Sequence, residues 1–184
     1  MREWEIKLIP PKYLSRDDLI ERLKNVGFKE LESVTEVDTY IDLTPCKCVP
    51  KDTVLRIRKS ILSNGTVKCE LTYKGPKLLK DIKVREELST QVGDADLVVE
   101  MFKKLGFKTY IIRKERTVMV SEVGKVYVDH VEGLGNFLEF EIMDAKSEKE
   151  FRNALNNLIS KLDLINYSLT SKSYLEMILE RGGS

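Results

Sequence analysis

Charged side chains recur at every second position along segments that otherwise read as β-strands. In the first such segment Glu3, Glu5 and Lys7 alternate with Trp4, Ile6 and Leu8. Arg56 and Arg58 alternate with Leu55 and Ile57, Glu139 and Glu141 with Leu138, Phe140 and Ile142. A period of two puts each set on one face of a sheet. The chain must therefore build a largely antiparallel sheet with one apolar and one charged face. A half-buried sheet with its polar face in water satisfies that pattern. The charges, however, come in same-sign or paired blocks rather than as the interspersed mixture of a solubilising surface. Like charges two residues apart on one face repel unless something binds between them.

Strand candidates are 2–9, 35–42, 53–61, 66–74, 82–89, 109–121, 124–131 and 136–143. Eight antiparallel strands are about the number that closes into a barrel whose interior holds side chains or one small ligand. The expectation is thus an α+β chain: a closed eight-stranded antiparallel barrel with a polar interior and flanking helices. Asn64-Gly65 marks a tight hairpin, Gly124 another, and Gly133 and Gly135 a turn before Phe137. Helices are expected after Ser15, whose partner Asp18 suggests a capping box, over about 94–105, from Ser147-Glu148, and over about 174–179. The stretch from Leu19 to Gly27-Phe28-Lys29 is echoed by that from Leu97 to Gly106-Phe107-Lys108, so two similar halves are expected in one fold.

Length and charge bound the rest. At 184 residues the chain fits one domain, read as 1–184. Its 31 Lys+Arg against 30 Asp+Glu leave +1, which argues against a nucleic-acid binder with a dominant basic face. No apolar run approaches the ~20 residues of a membrane span, and the charged N-terminus is unlike a secretory leader. Three cysteines, Cys46, Cys48 and Cys69, and a single histidine give neither a disulfide framework nor a zinc set. A cytoplasmic protein is expected. His130 has the wrong parity for the charged face and reads as structural, and Trp4 and Tyr40 as packing residues.

A charged interior is unfavourable unless it holds something, because desolvating one ion costs several kcal/mol. Lys and Arg suit phosphate oxygens, and glutamates suit Mg²⁺ or Mn²⁺. An ordered set of motifs accompanies that reading: Glu3-x-Glu5-x-Lys7, Asp38-x-Tyr40-x-Asp42, Leu55-Arg56-Ile57-Arg58, Leu71-Thr72-Tyr73-Lys74-Gly75-Pro76, Arg85-x-Glu87 and Lys114-x-Arg116. Asp129 with Gly133-Leu134-Gly135 and Phe137-x-Glu139-x-Glu141, then Ser173-Tyr174, complete it.

In these motifs, which run from residue 3 to about 175, the chain resembles the CYTH proteins, or triphosphate tunnel metalloenzymes. That group includes class IV adenylate cyclases, thiamine triphosphatases and inorganic triphosphatases. The resemblance implies a tunnel in which Lys7, Arg56, Arg58, Lys74, Arg85, Lys114, Arg116 and Lys172 hold a triphosphate. It implies Mg²⁺ or Mn²⁺ on Glu3, Glu5, Asp129, Glu139 and Glu141, and a catalytic set of Glu3, Glu5, Lys7, Glu87, Glu139 and Glu141. Three functions stay open: a metal-dependent triphosphatase, which is favoured; an adenylate cyclase making cyclic AMP and pyrophosphate from ATP; and a non-catalytic binder of polyphosphate or nucleotides. The expected partner is a small triphosphate substrate, not nucleic acid or membrane, and a homodimer is compatible with the sequence.

Overall fold

The structure, a computed structural model, describes residues 4–77, 85–142 and 147–182. Along the chain run β1 (Glu5–Ile9), α1 (Arg16–Asn25), β2 (Lys29–Ile41), β3 (Val54–Leu62), β4 (Val67–Lys74), β5 (Glu87–Gln91) and α2 (Ala95–Lys104). They are followed by β6 (Thr109–Val120), β7 (Gly124–Val131), β8 (Gly135–Ile142), α3 (Glu148–Lys161), β9 (Ser168–Thr170) and α4 (Tyr174–Gly182). Of the expected strand 82–89, residues 82–84 lie outside the described residues. The expected strand 35–42 begins earlier, at Lys29, and carries an irregularity between Glu30 and Glu32 where it pairs with β6.

The strands form one antiparallel sheet of order β5-β4-β3-β2-β6-β7-β8-β1-β9. This corrects the expected closed barrel of eight strands: among the described residues the sheet has nine and is open. The reason lies in β1. One of its edges pairs with β8, and the other is taken by β9, with Lys7 opposite Thr170 and Ile9 opposite Ser168. That leaves β1 no free edge for β4 or β5. At three residues, β9 is too short to show a period in the sequence. The sheet still curls, because inner-face residues of β1 to β8 line one shared cavity.

The strand order is symmetric about the β2–β6 pair. The units β1-α1-β2-β3-β4 and β5-α2-β6-β7-β8 repeat, and each lends its first strand to the other's last: β1 to β8 and β5 to β4. The sequence echo is the joint of each unit. After α1, Gly27 N–H donates to Lys24 O at 3.0 Å and Phe28 N–H to Leu23 O at 3.0 Å. After α2, Gly106 N–H donates to Lys103 O at 2.9 Å and Phe107 N–H to Phe102 O at 3.1 Å. Both are Schellman endings, with the glycines at φ +95° and +88°.

The outer face carries the main core. Ile6, Leu8, Val126, Val128, Leu138 and Phe140 of the sheet pack on Leu19 and Leu23 of α1 and on Phe151, Leu155 and Leu158 of α3. Ser15 caps α1 through the expected box: its Oγ accepts from Asp18 N–H at 3.1 Å, and Asp18 Oδ2 accepts from Ser15 N–H at 2.8 Å. On the other half, α2 covers Leu55, Ile57 and Leu71 through Val98, Val99 and Phe102. The fourth helix lies at one end of the inner face, where Tyr174, Leu175 and Ile178 pack on Tyr40, Ile112, Val131 and Phe137. No described helix is long and apolar enough to cross a membrane.

Candidate functional site

The concave face encloses about 230 Å³. Eleven sequence-predicted site residues line it: Glu5, Lys7, Arg56, Arg58, Lys74, Arg85, Glu87, Lys114, Arg116, Glu139 and Glu141. Strand parity explains their convergence, since each sits two residues from its neighbour on the same face. Register then decides who meets whom. Across β1 and β8, Glu5 faces Glu141 and Lys7 faces Glu139. Across β2 and β3, Asp38 faces Arg58; across β6 and β7, Arg116 faces Asp129.

Two arginines are gripped by forks. Arg58 donates to Asp38 from Nε at 2.6 Å and from Nη2 at 2.8 Å. Arg116 donates to Asp129 at 2.7 and 2.6 Å and reaches Glu139 at 3.2 Å. Two lysines are bridged: Lys114 lies 2.9 Å from both Glu36 and Asp38, and Lys7 lies 2.5 Å from Glu5 and 2.7 Å from Glu139. Burial alone would neutralise these groups, but their partners win. Burial pushes the Asp38 carboxyl up, yet Arg58, Lys114 and Arg56 hold it well below the usual range. Glu36, opposed by the same desolvation, is brought down to about 2 by Lys114, Arg58 and Arg116. Against their own burial, Glu139 and Glu5 raise the Lys7 pKa, and Asp129 and Glu139 that of Arg116.

The wall built by β3, β4 and the approach to β5 is different. Among the described residues Arg56 reaches only Thr72 Oγ1 at 3.2 Å and Glu70 at 3.6 Å. Arg85 reaches Asp52 O at 3.4 Å and Asp52 Oδ2 at 3.5 Å. Both guanidiniums are more than nine-tenths buried, and the Nε of each has no hydrogen-bond partner among the described residues. Between them Lys74 donates to Glu87 at 2.6 Å. Burial and the Arg56 charge nonetheless pull the Lys74 pKa down. Each cation of this wall has a carboxylate in reach, but the Arg56–Glu70 and Arg85–Asp52 contacts, at 3.6 and 3.5 Å, are looser than the forks on Arg58 and Arg116, in a setting where weakly paired charge is expensive.

The opposite wall is acidic. Glu5 and Glu141, directly opposite on β1 and β8, are like charges that favour a cation between them, with Glu139 two residues along. Such hard carboxylate oxygens suit Mg²⁺ or Mn²⁺. Among the described residues, no three His, Cys, Asp or Glu stand together as a ready-made cage. Glu3 shares this parity but lies outside the described residues.

Two predicted residues are not brought to the cavity. Asp129 is fully buried, with its oxygens occupied by Arg116 and by the Tyr174 hydroxyl, which donates at 2.7 Å. Lys172 is exposed and pairs with Glu180 at 2.8 Å. His130 is likewise outside, at 2.8 Å from Asn136 Oδ1, and Trp4 stacks on Phe151 at 5.9 Å.

The cavity also uses residues to which the sequence reading gave no charged role. Glu36 and Asp38 are the counter-ions of Arg58 and Lys114. Parity with Asp38-x-Tyr40 could have found both. Tyr127 donates to Glu141 at 2.6 Å while its ring lies 4.2 Å from the Arg116 guanidinium. The Tyr174 ring lies 5.0 Å from Lys7 Nζ and 5.6 Å from Lys114 Nζ. Tyr40 lines the cavity as well, its hydroxyl pKa pushed up to about 12 by burial and the Asp38 charge.

Known proteins give this geometry a context. A provisionally named adenylate cyclase of Methanocaldococcus jannaschii is 34% identical over 180 residues, covering 96% of this chain and 98% of its own. The structure of the PH1819 protein from Pyrococcus horikoshii superposes with a TM-score of 0.77 at 32% identity, covering 97% of this chain and 99% of its own. A Hippeastrum protein, described as an adenylyl cyclase with a dominant triphosphatase activity, shares the fold at 20% identity and TM-score 0.68, covering 99% and 96%. The CYTH domain profile matches residues 1–174, and the chain belongs to the CYTH domain family.

Proposed function

We propose that this chain is a divalent-metal-dependent triphosphatase that hydrolyses inorganic triphosphate in the charged cavity. The observation that carries the reading is the weakly paired wall of Arg56, Lys74 and Arg85, with the buried Nε of both arginines unpartnered among the described residues. Buried cations with weak partners are stabilised when an anion completes them. A polyphosphate supplies many oxygens along a line, and guanidinium forks match them in pairs.

The residues then divide by partner. Arg56, Lys74 and Arg85 take the phosphate oxygens. Arg58, Arg116, Lys114 and Lys7 are held by Asp38, Asp129, Glu36 and Glu139, so their donors are oriented before substrate arrives. That preorganisation is what stabilises charge spreading onto the equatorial oxygens of a loose phosphoryl transition state. Glu5, Glu139 and Glu141 are the residues that would hold Mg²⁺ or Mn²⁺, which supplies Lewis-acid polarisation of the phosphoryl group when bound. Asp129 acts through Arg116 as its orienting counter-ion. Glu87 opposes the downward pull on the Lys74 pKa and holds its ammonium in the cavity.

A second reading, adenylate cyclase, is favoured by the name of the M. jannaschii relative. It requires a seat for adenine, whereas the cavity lining is overwhelmingly charged, with Val54 and three tyrosines as its apolar part. The deciding experiment is a turnover assay with inorganic triphosphate and ATP, each with Mg²⁺ and Mn²⁺, following orthophosphate, pyrophosphate and cyclic AMP. Orthophosphate from triphosphate is the expected product. Cyclic AMP with matching pyrophosphate would replace the proposal with the cyclase. Binding of triphosphate without turnover would reduce the protein to a binder.

A further inference from the structure

The carboxylates that meet the cavity's arginines fall into two groups by burial. Asp38 and Asp129, which fork Arg58 and Arg116, are 1% and 0% exposed. Glu70 and Asp52, which meet Arg56 and Arg85 at 3.6 and 3.5 Å, are 41% and 38% exposed, although both arginines are buried. Arg56 and Arg85 line the cavity, whereas Glu70 and Asp52 stand outside its lining. Each of these two carboxylates also has a second anchor. Thr72 Oγ1 donates to Glu70 Oε1 at 2.9 Å, and Lys77 N–H to Asp52 Oδ2 at 3.0 Å. Asp52 itself sits at φ +66°, in the left-handed region that Asp and Asn tolerate better than other side chains.

Exposure decides what it costs to part each pair. A carboxylate that is already partly in water gives up a loose ion pair at little cost, whereas parting a buried fork strands a charge. The buried Nε of Arg56 and of Arg85 is an unused donor, and a phosphate oxygen engages guanidinium donors more strongly than a carboxylate at 3.5 Å does. We propose that Glu70 and Asp52 are exchangeable counter-ions. Each occupies its arginine before an anion arrives, yields it to a phosphate oxygen when triphosphate enters, and stays behind on Thr72 or Lys77. The two carboxylates thereby set the affinity of the cavity for polyanions, because parting each pair subtracts from the binding energy. The inference rests on the assignment of Arg56 and Arg85 to phosphate.

Calorimetric titration of the full chain with inorganic triphosphate tests it on Glu70→Gln, Asp52→Asn and the double variant. Both replacements keep the side chain's size, and Asn keeps the backbone at position 52. Each single variant should bind about 5-fold more tightly than the wild type, the worth of one partly exposed pair. The double variant should bind about 25-fold more tightly, since pairs without a shared partner add. Glu86→Gln makes the same change in charge at an exposed neighbour of Arg85 and should stay within about 2-fold. Melting separates exchange from a structural loss. Without ligand the variants should melt below the wild type, and at saturating triphosphate they should melt with it, because the bound state no longer uses the pairs. Unchanged or weaker binding by both single variants overturns the exchange and makes Glu70 and Asp52 orienting carboxylates. Equal tightening by Glu86→Gln overturns it too, because charge alone then accounts for the gain. A wild type and variants that all leave triphosphate unbound overturn the phosphate assignment, and the exchange with it.

Discussion

At the scale of single residues, the cavity holds two kinds of arginine. Arg58 and Arg116 are locked by bidentate carboxylates, whereas Arg56 and Arg85 keep buried nitrogens without partners. Removing the second kind takes away a poorly compensated buried charge. Arg56→Met is therefore expected to leave the melting temperature unchanged or raised, while triphosphate binding weakens on the order of 10- to 100-fold, as expected for losing a hydrogen bond to a charged group. Calorimetric melting and triphosphate titration of the same sample check both halves. Glu36 gives a pH signature. Its folded pKa, about 2, lies below the ordinary 4.5. The stability it contributes is complete above about pH 4.5 and lost as the pH falls towards 2. Urea midpoints should fall through that window in the wild type. In Glu36→Gln the fall should be shallower, from a lower starting stability.

At the scale of elements, helix ends and strand edges decide the local outcome. Ser15 and Asp18 close both bonds of a capping box, so Ser15→Ala should destabilise the protein by about 1 kcal/mol, read as a lower denaturant midpoint. Gly27 and Gly106 end α1 and α2 at positive φ with nothing within 4 Å of an added Cβ. Either glycine replaced by alanine should cost roughly 1 kcal/mol through backbone conformation alone, with no loss of cavity geometry. These signals were legible because a cap is local: Ser-x-x-Asp and Gly-Phe act within one turn. β9 was not legible, since three residues bounded by loops carry no period. Its pairing with β1 is a long-range event, and it is what leaves the sheet open.

At the scale of the whole molecule, the two repeated units exchange their first strands, so neither owns a complete sheet. A chain cut between β4 and β5 should give two fragments that lack cooperative unfolding when alone and regain it when mixed. Circular dichroism melts of each fragment and of the mixture would show this, and independent folding of either fragment would contradict the strand exchange. The repeat also supplies the cavity from both sides. Both units feed both walls: the first brings Glu5 on β1 as well as Arg56, Arg58 and Lys74 on β3 and β4, the second Lys114 and Arg116 on β6 as well as Glu139 and Glu141 on β8. Acid and base walls face each other only because the sheet curls.

What the amino-acid sequence determined by itself was parity. A two-residue period states which side chains share a face, and so Glu5, Lys7, Arg56, Arg58, Lys74, Arg85, Glu87, Lys114, Arg116, Glu139 and Glu141 could be grouped before any fold was known. Parity carries no information about depth along a strand, about register, or about what the loops bring. Tertiary structure decided those: that Asp129 is consumed by Arg116 and Tyr174, that Lys172 turns to Glu180, and that Tyr40, Ile112, Val131 and Phe137 make one end of the same inner face apolar under α4. Each depends on contacts between residues tens of positions apart, or on a helix end, and pairing at that distance is set by the packing of the whole sheet rather than by any local pattern.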